Sequence, residues 1–185
     1  IADMAPFTFV AIRFAIAFIF MVLFCWKKLF QFRRSDWLPG IFVGIFLFGG
    51  YSFQTIGLQF TTVSNAGFIT GLSVVMVPLF YSILKRSFPS PLVLVGAALA
   101  GCGIGLLCLN EGYTYNFGDI LVLACAVSFA LHIIAIGRYA SQVDATVLAS
   151  IQIGTVAILS VAAAFVFEPN TPIQSTKEVW IALLT

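Results

Sequence analysis

Charged residues are scarce in this chain, and their scarcity excludes an ordinary soluble domain. Only 9% of the 185 residues are charged, whereas 61% are hydrophobic. A soluble domain carries roughly a quarter charged residues. No soluble core of this size needs so many apolar side chains, so we expect a protein that is largely immersed in a lipid bilayer.

The sequence also lacks the groups that most enzymes and metal sites require. It has one histidine and four cysteines, Cys25, Cys102, Cys108 and Cys125. Their spacing matches neither a zinc motif nor a disulfide framework, so we interpret them as small packing residues. The sequence has no H-E-x-x-H, no G-x-S-x-G and no phosphate loop. We therefore expect no enzymatic activity, no metal, no cofactor and no nucleic-acid partner.

Carboxylates are absent from the middle of every apolar stretch. All seven acidic residues lie in predicted loops or at predicted helix ends: Asp3, Asp36, Glu111, Asp119, Asp144, Glu168 and Glu178. Transporters driven by protons or sodium usually keep a carboxylate within the membrane, because an ionisable group is costly there and is retained for a task. The sequence thus offers no obvious ion-coupling site.

What the chain has instead is a series of long apolar stretches. A spanning helix needs about 20 apolar residues, and about six stretches satisfy that length. The short alternating pattern of a membrane barrel is absent, so we predict an all-α, polytopic transmembrane helix bundle. The predicted helices cover residues 6–26, 37–60, 64–84, 92–109, 119–139 and 146–167, and a seventh begins at residue 178. The chain runs from Ile1 to Thr185, inside that seventh helix, and we interpret it as a fragment.

The basic residues predict how these helices are threaded through the membrane. Alternate threading places most of the nine basic residues on one side: Lys27, Lys28, Arg33, Arg34, Lys85, Arg86 and Arg138. The other side receives only Lys177. Because cytoplasmic loops carry an excess of Lys and Arg, the first side is assigned to the cytoplasm. We expect a multi-pass protein of the inner or plasma membrane.

Polar side chains within the predicted helices are candidate binding groups for a solute. The candidates are Arg13, Tyr51, Gln54, Thr70, Ser128, His132 and Gln152. Uncharged hydrogen-bonding groups suit a polar solute and need no ion, but the same groups also form bonds between helices. His132 either bonds a substrate and responds to pH, or is packed and hydrogen-bonded within the bundle.

Arg13 is the one charged candidate. It lies about 10 Å inside the first predicted helix, where an arginine costs at least about 2.5–3.5 kcal/mol. One hypothesis is that Arg13 faces a watered cavity and meets a carboxylate-bearing solute. The alternative is that its side chain extends toward the interface, bonds helix carbonyls, or pairs with a helix outside this fragment.

The stretch at residues 58–78 combines small and polar residues in an apolar context: L-Q-F-T-T-V-S-N-A-G-F-I-T-G-L-S-V-V-M-V-P. It predicts the end of one helix, a tight turn at residues 61–64, and a second helix. Pro78, which lacks an N–H, either kinks this second helix or is tolerated within it. Glycine pairs one turn apart, Gly40 with Gly44 and Gly67 with Gly71, predict close helix contacts.

Residues 58–80 closely resemble the third-to-fourth helix segment of the EamA family, in the drug/metabolite transporter superfamily. The matching positions are Leu58, Thr61, Thr62, Ser64, Ala66, Ile69, Leu72 and Pro78. I-R-F at residues 12–14 resembles the second family helix, and G-D-I-L-V-L-A-C-A-V-S-F-A at residues 118–130 resembles the start of the second repeat.

This resemblance implies ten helices in two inverted five-helix repeats around a central cavity. Residues 1–110 would be helices two to five, and residues 118–185 would be helices six, seven and the start of eight. The first helix, the last two helices and most of the eighth would be absent. The family has no universal substrate motif, so the candidate binding residues rest on their positions alone.

The function implied is a permease or exporter of small metabolites such as amino acids, working by alternating access. Its partners would be a small solute, carboxylate-bearing if the Arg13 hypothesis holds, and the lipid bilayer. Two alternatives stay open. One is a sugar-nucleotide or phosphate-ester carrier of the same superfamily, and the other is a membrane sensor or scaffold that transports nothing.

Overall fold

The structure, a computed structural model, describes residues 5–29, 32–108 and 116–169. Within these ranges the regular elements are all helices: α1 Pro6–Leu29, α2 Arg34–Gly57, α3 Val63–Gly71, α4 Ser73–Lys85, α5 Pro91–Cys108, α6 Phe117–Tyr139 and α7 Ala145–Phe167. The all-α prediction is confirmed, and the predicted helices are present with shifted ends. The seventh predicted helix, from residue 178, lies outside the described residues.

Most of these helices are long and apolar enough to cross a membrane. Five spans in the described part meet that condition: Pro6–Lys28, Arg34–Gly57, Val63–Lys85, Phe117–Tyr139 and Ala145–Phe167. At 1.5 Å per residue such helices are about 35 Å long, which matches a hydrocarbon core of about 30 Å. The chain is a multi-pass membrane protein.

The segment between α2 and α4 differs from the sequence-based prediction in two places. The turn occupies residues 58–62 rather than 61–64, because the Thr62 hydroxyl accepts a hydrogen bond from the Asn65 N–H at 3.2 Å and caps α3. The single predicted helix is interrupted at Leu72, whereas α4 is continuous through Pro78.

A shared hydrogen bond marks the interruption at Leu72. The Leu72 N–H lies 3.1 Å from the Ile69 carbonyl oxygen and 3.3 Å from the Phe68 carbonyl oxygen. Sharing a donor between the third and fourth preceding carbonyls tightens the backbone locally toward a 3₁₀ turn. Pro78 lies within α4, which continues to Lys85. Together α3 and α4 form one membrane span.

The bundle is built around α2, which packs against α6 and α7. Helix α1 packs mainly on α7, α3 and α4 pack on α6, and α5 lies against α3 and α4. The buried core follows these contacts. One cluster contains Phe9, Val10, Phe14, Val156 and Ala157, and another contains Val43, Ala135, Val143, Val147, Leu148 and Ile151.

Glycines allow α2 to approach α7 closely. A Cβ atom at Gly40 would lie 2.5 Å from the Ile151 Cβ, and one at Gly44 would lie 2.7 Å from the Thr155 Cβ. This agrees with the contact expected from the Gly40–Gly44 pair. Gly67 differs, because a Cβ there would meet nothing within 4 Å among the described residues.

Contacts between loops agree with the predicted threading. The Lys28 Nζ lies 3.6 Å from an Asp144 carboxylate oxygen, which places the end of α1 and the start of α7 at the same end of the bundle. At the opposite end, the Glu168 carboxylate accepts hydrogen bonds from the Phe7 and Thr8 N–H groups at 2.8 and 2.9 Å. We call these the Lys28 end and the Glu168 end.

The described acidic residues lie at helix ends, as the sequence indicated. Asp36 accepts a hydrogen bond from the Arg33 N–H at 2.9 Å, Asp119 forms a capping box with Asn116, and Asp144 caps α7. Asp119 also accepts a hydrogen bond from the Thr61 hydroxyl at 2.6 Å. That bond ties the turn after α2 to the start of α6 at the Glu168 end.

Candidate functional site

The candidate binding residues lie on different helices and at two depths. Toward the Glu168 end lie Arg13 on α1, Tyr51 and Gln54 on α2, and Thr70 on α3. Toward the Lys28 end lie His132 on α6 and Gln152 on α7. Counted from the nearer end of its membrane span, each of these residues except Gln54 lies about 10 Å inside, at 1.5 Å per residue. Gln54 lies closer to the end of α2. Ser128 lies between the two levels on α6.

Arg13 meets an aromatic ring. Its guanidinium carbon lies 5.8 Å from the centroid of the Tyr51 ring, within the range of a cation–π contact. Phe14 and Phe129 pack edge-on against Tyr51, with ring centroids 4.9 and 5.4 Å away. The Arg13 residue is exposed on the surface of the bundle. Among the described residues, no carboxylate lies within ion-pair distance of Arg13.

Gln54 and Thr70 join α2 to α3. The Gln54 amide donates to the Thr70 hydroxyl at 3.4 Å, and the Thr70 oxygen lies 4.0 Å from the Cys125 sulfur of α6. Cys125 is fully buried. Our interpretation of Cys125 as a packing residue agrees with this burial, but its contact with a polar candidate was not foreseen.

His132 and Gln152 join α6 to α7. The His132 Nε2 lies 2.9 Å from the Gln152 side-chain carbonyl oxygen. Because an amide oxygen can only accept, the His132 Nε2–H donates this hydrogen bond. His132 is therefore hydrogen-bonded within the bundle, as one of the two sequence-based alternatives proposed.

Ser128 faces Gly49 of α2. Its hydroxyl oxygen lies 3.4 Å from the position that a Cβ would occupy at Gly49. Cys125, Ser128, Phe129 and His132 are spaced three, four and seven residues apart, so they share one face of α6. This face of α6 holds hydrogen-bonding groups at both depths at which the candidate residues lie.

The structure therefore brings the candidates together in pairs and not at a single point. The pairs are Arg13 with Tyr51, Gln54 with Thr70, and His132 with Gln152. The part of the chain that the structure covers holds no group of three His, Cys, Asp or Glu side chains that could bind a metal. Chemically, the Gln54–Thr70 and His132–Gln152 pairs can exchange their mutual hydrogen bonds for bonds to a polar solute.

A cavity that sequence reasoning missed lies between α4 and α6 at the Lys28 end. Its volume is about 630 Å³, and it is lined by Val77, Tyr81, Leu84, Lys85, Ile133, Ile134, Gly137 and Arg138. In the sequence, Lys85 and Arg138 indicate only the threading. The sequence signal for the cavity was the spacing of Tyr81 and Lys85, which are one helical turn apart and therefore share a face of one helix.

Comparison with known proteins places this fold among transporters. The model of the EamA-like transporter family matches residues 1–109. The chain is 37% identical over 183 residues to an uncharacterized transporter of Archaeoglobus fulgidus, with 98% of this chain and 56% of that protein covered. A solved crystal structure of a protein shares the fold with a TM-score of 0.74 and 24% identity, covering 98% of this chain and 65% of the other. The chain spans about half the length of the curated relative it matches.

Proposed function

Because the chain belongs to the EamA-like transporter family, we propose that it is part of a permease that exports small polar metabolites, such as amino acids, across the cell membrane. The transporter name of the archaeal relative supports this proposal. In the proposed mechanism, the solute binds among the polar side chains of α2, α3, α6 and α7 and is released by alternating access.

The observation that carries the proposal is the pairing of uncharged polar groups across helix boundaries. Gln54 is hydrogen-bonded to Thr70 toward the Glu168 end, and His132 is hydrogen-bonded to Gln152 toward the Lys28 end. Hydrogen bonds between membrane helices contribute only about 0.6 kcal/mol on average. A solute that offers its own donors and acceptors can replace such bonds at little cost, and the helices are then free to move apart.

Arg13 supports a carboxylate-bearing substrate. Its guanidinium lies over the Tyr51 ring and carries its N–H donors in one plane. These N–H groups match the two oxygens of a carboxylate, and such charge-assisted bonds are roughly twice as strong as neutral ones. We propose that Arg13 attracts the carboxylate while uncharged groups deeper in the bundle bind the rest of the solute.

The test is solute flux into proteoliposomes that contain the full-length protein and a mixture of metabolites. We expect flux of amino acids, and we expect Arg13→Gln to reduce it at least about tenfold, since a hydrogen bond to a charged group contributes about 1.5–3 kcal/mol. Arg13→Lys should retain part of the flux, because it keeps the charge but loses the planar donor set. Lys27→Gln is the matched control, since it removes a charge from the exposed end of the same helix.

Three results would contradict parts of this proposal. Unchanged amino-acid flux in a correctly folded Arg13→Gln protein would exclude the role of Arg13. Preferential flux of phosphate esters would favour a carrier for phosphorylated solutes. Absence of flux for every solute in the mixture would favour a sensor or scaffold.

A further inference from the structure

The cavity between α4 and α6 has charged residues at its mouth. Lys85 is the last residue of α4, and Arg138 lies one residue before the end of α6. Both residues are exposed, and both line the cavity. Spanning helices end at the level of the lipid headgroups, so these two cations are located where phosphate groups of the bilayer lie.

The charges of the cavity are of one sign. The Lys85 Nζ lies 5.7 Å from the centroid of the Tyr81 ring, and the Arg138 guanidinium carbon lies 5.9 Å from that of Tyr139. The lining residues include no aspartate or glutamate. Two cations without a neutralising acid produce a positive potential that attracts anions, most strongly a phosphate group.

The wall of the cavity is apolar below this mouth. Val77, Leu84, Ile133 and Ile134 line it, and the Leu84 and Ile133 side chains are 63% and 48% exposed. Val77 precedes Lys85 by two turns, about 12 Å deeper in the membrane. A small soluble anion makes no use of such a wall, whereas a phospholipid carries a phosphate and an acyl chain separated in this way.

We propose that this cavity binds one anionic phospholipid. Lys85 and Arg138 bind the headgroup phosphate, and an acyl chain lies along Val77, Leu84 and Ile133. The cavity is separate from the candidate solute-binding residues, so the proposal does not depend on the substrate. Basic pockets between membrane helices on the cytoplasmic side are suited to such headgroups because anionic lipids are abundant in that leaflet.

The experiment is native mass spectrometry of the full-length protein in detergent with added phosphatidylglycerol or phosphatidylcholine. We expect the wild-type protein to retain one phosphatidylglycerol in preference to phosphatidylcholine. The double variant Lys85→Gln/Arg138→Gln should lower that retention roughly 25-fold, at about fivefold for each cation near the surface. The matched control, Lys27→Gln/Arg34→Gln, removes the same charge at the same end but outside the cavity, and it should retain the lipid.

A second variant keeps the proposal testable if the double variant does not fold. Ile133→Trp leaves both cations in place and fills the cavity, and it should also lower retention of phosphatidylglycerol. Equal retention in a folded double variant or in Ile133→Trp would overturn the proposal. Equal binding of the two lipids would overturn it as well, and so would displacement of the lipid by equimolar inorganic phosphate, which would indicate a site for a soluble anion.

Discussion

At the scale of single residues, several hydroxyl groups bond the backbone of their own helix, whereas two long polar side chains bond the side chains of other helices. The hydroxyls of Thr55, Ser150 and Thr155 each donate to the carbonyl four residues earlier, at 2.7–2.8 Å. Such bonds form within a single helix and require no contact with another helix. Gln54 and His132 instead bond side chains of other helices. Only this second type links the movement of one helix to that of another.

The glycines of the α2–α7 contact provide a prediction at this scale. Gly40→Ala should destabilise the protein by about 1–3 kcal/mol, because overpacking a tight contact forces side chains and backbone to shift. The new Cβ would lie 2.5 Å from the branched Cβ of Ile151, which has no freedom to move away. The measurement is unfolding in mixed detergent micelles with increasing denaturing detergent.

Gly67→Ala is the matched control for this substitution. A Cβ at Gly67 meets nothing within 4 Å among the described residues, so alanine should be neutral or stabilise α3 by up to about 1 kcal/mol. Equal free energies of unfolding for the two variants would show that the α2–α7 contact is looser than the structure indicates.

At the scale of elements, the ends of the helices depend on side-chain caps in the loops. The Asp144 carboxylate accepts hydrogen bonds from the Thr146 and Val147 N–H groups at 2.8 and 3.4 Å, and it lies near the Lys28 ammonium. The backbone bond from Thr146 is the main cause that holds the pKa of Asp144 below its ordinary value. The ionised form of Asp144 therefore stabilises the start of α7.

This cap predicts a pH dependence of stability. Because the pKa of Asp144 is lower in the folded state, its contribution is complete above the ordinary aspartate pKa and is lost as the pH falls through the folded value. Asp144→Ala should thus lower the midpoint of thermal unfolding at pH 7, and the difference from wild type should shrink in the acid range. Gln142→Ala, in the same loop, is the control.

The measurement is thermal unfolding of both variants in nonionic detergent over a series of pH values. Removal of the uncharged Gln142 side chain should shift the midpoint by an amount that does not vary with pH. A difference between wild type and Asp144→Ala that stays constant from neutral to strongly acid pH would contradict the role of the ionised cap.

At the scale of the whole molecule, alternate threading predicts which loops share a side. Contacts between Lys28 and Asp144, and between Glu168 and the start of α1, place these loops at opposite ends of the bundle. The excess of basic residues at the Lys28 end assigns that end to the cytoplasm. The full-length protein should therefore expose residues near Ser87 and Gln142 inside the cell.

Labelling of single cysteines with a membrane-impermeant maleimide measures this orientation. In a background without the native cysteines, Ser87→Cys and Gln142→Cys should react only after the cells are permeabilised. Gln59→Cys, in the turn after α2, should react on intact cells. All three positions are exposed. The reverse labelling pattern would show that the orientation is inverted, and labelling of all three from one side would contradict the threading.

The sequence alone determined the class of fold and most of the spans, and it predicts the way they are threaded. These are local properties, since an apolar stretch of about 20 residues spans the bilayer whatever its neighbours are, and loop charges act on orientation directly. The family could be recognised at residues 58–80 for the same reason, because the matching positions lie within one continuous hairpin.

Only the tertiary structure decided which helices are neighbours and which polar residues meet. His132 and Gln152 are 20 residues apart, and no periodicity in either helix indicates that their faces are opposed. Gly40 and Gly67 have the same local pattern, yet only Gly40 faces another helix closely. The pairing of Arg13 with Tyr51, like the cavity between α4 and α6, depends on the lateral order of the helices. Packing between surfaces determines that order, and a pattern along one helix cannot specify it.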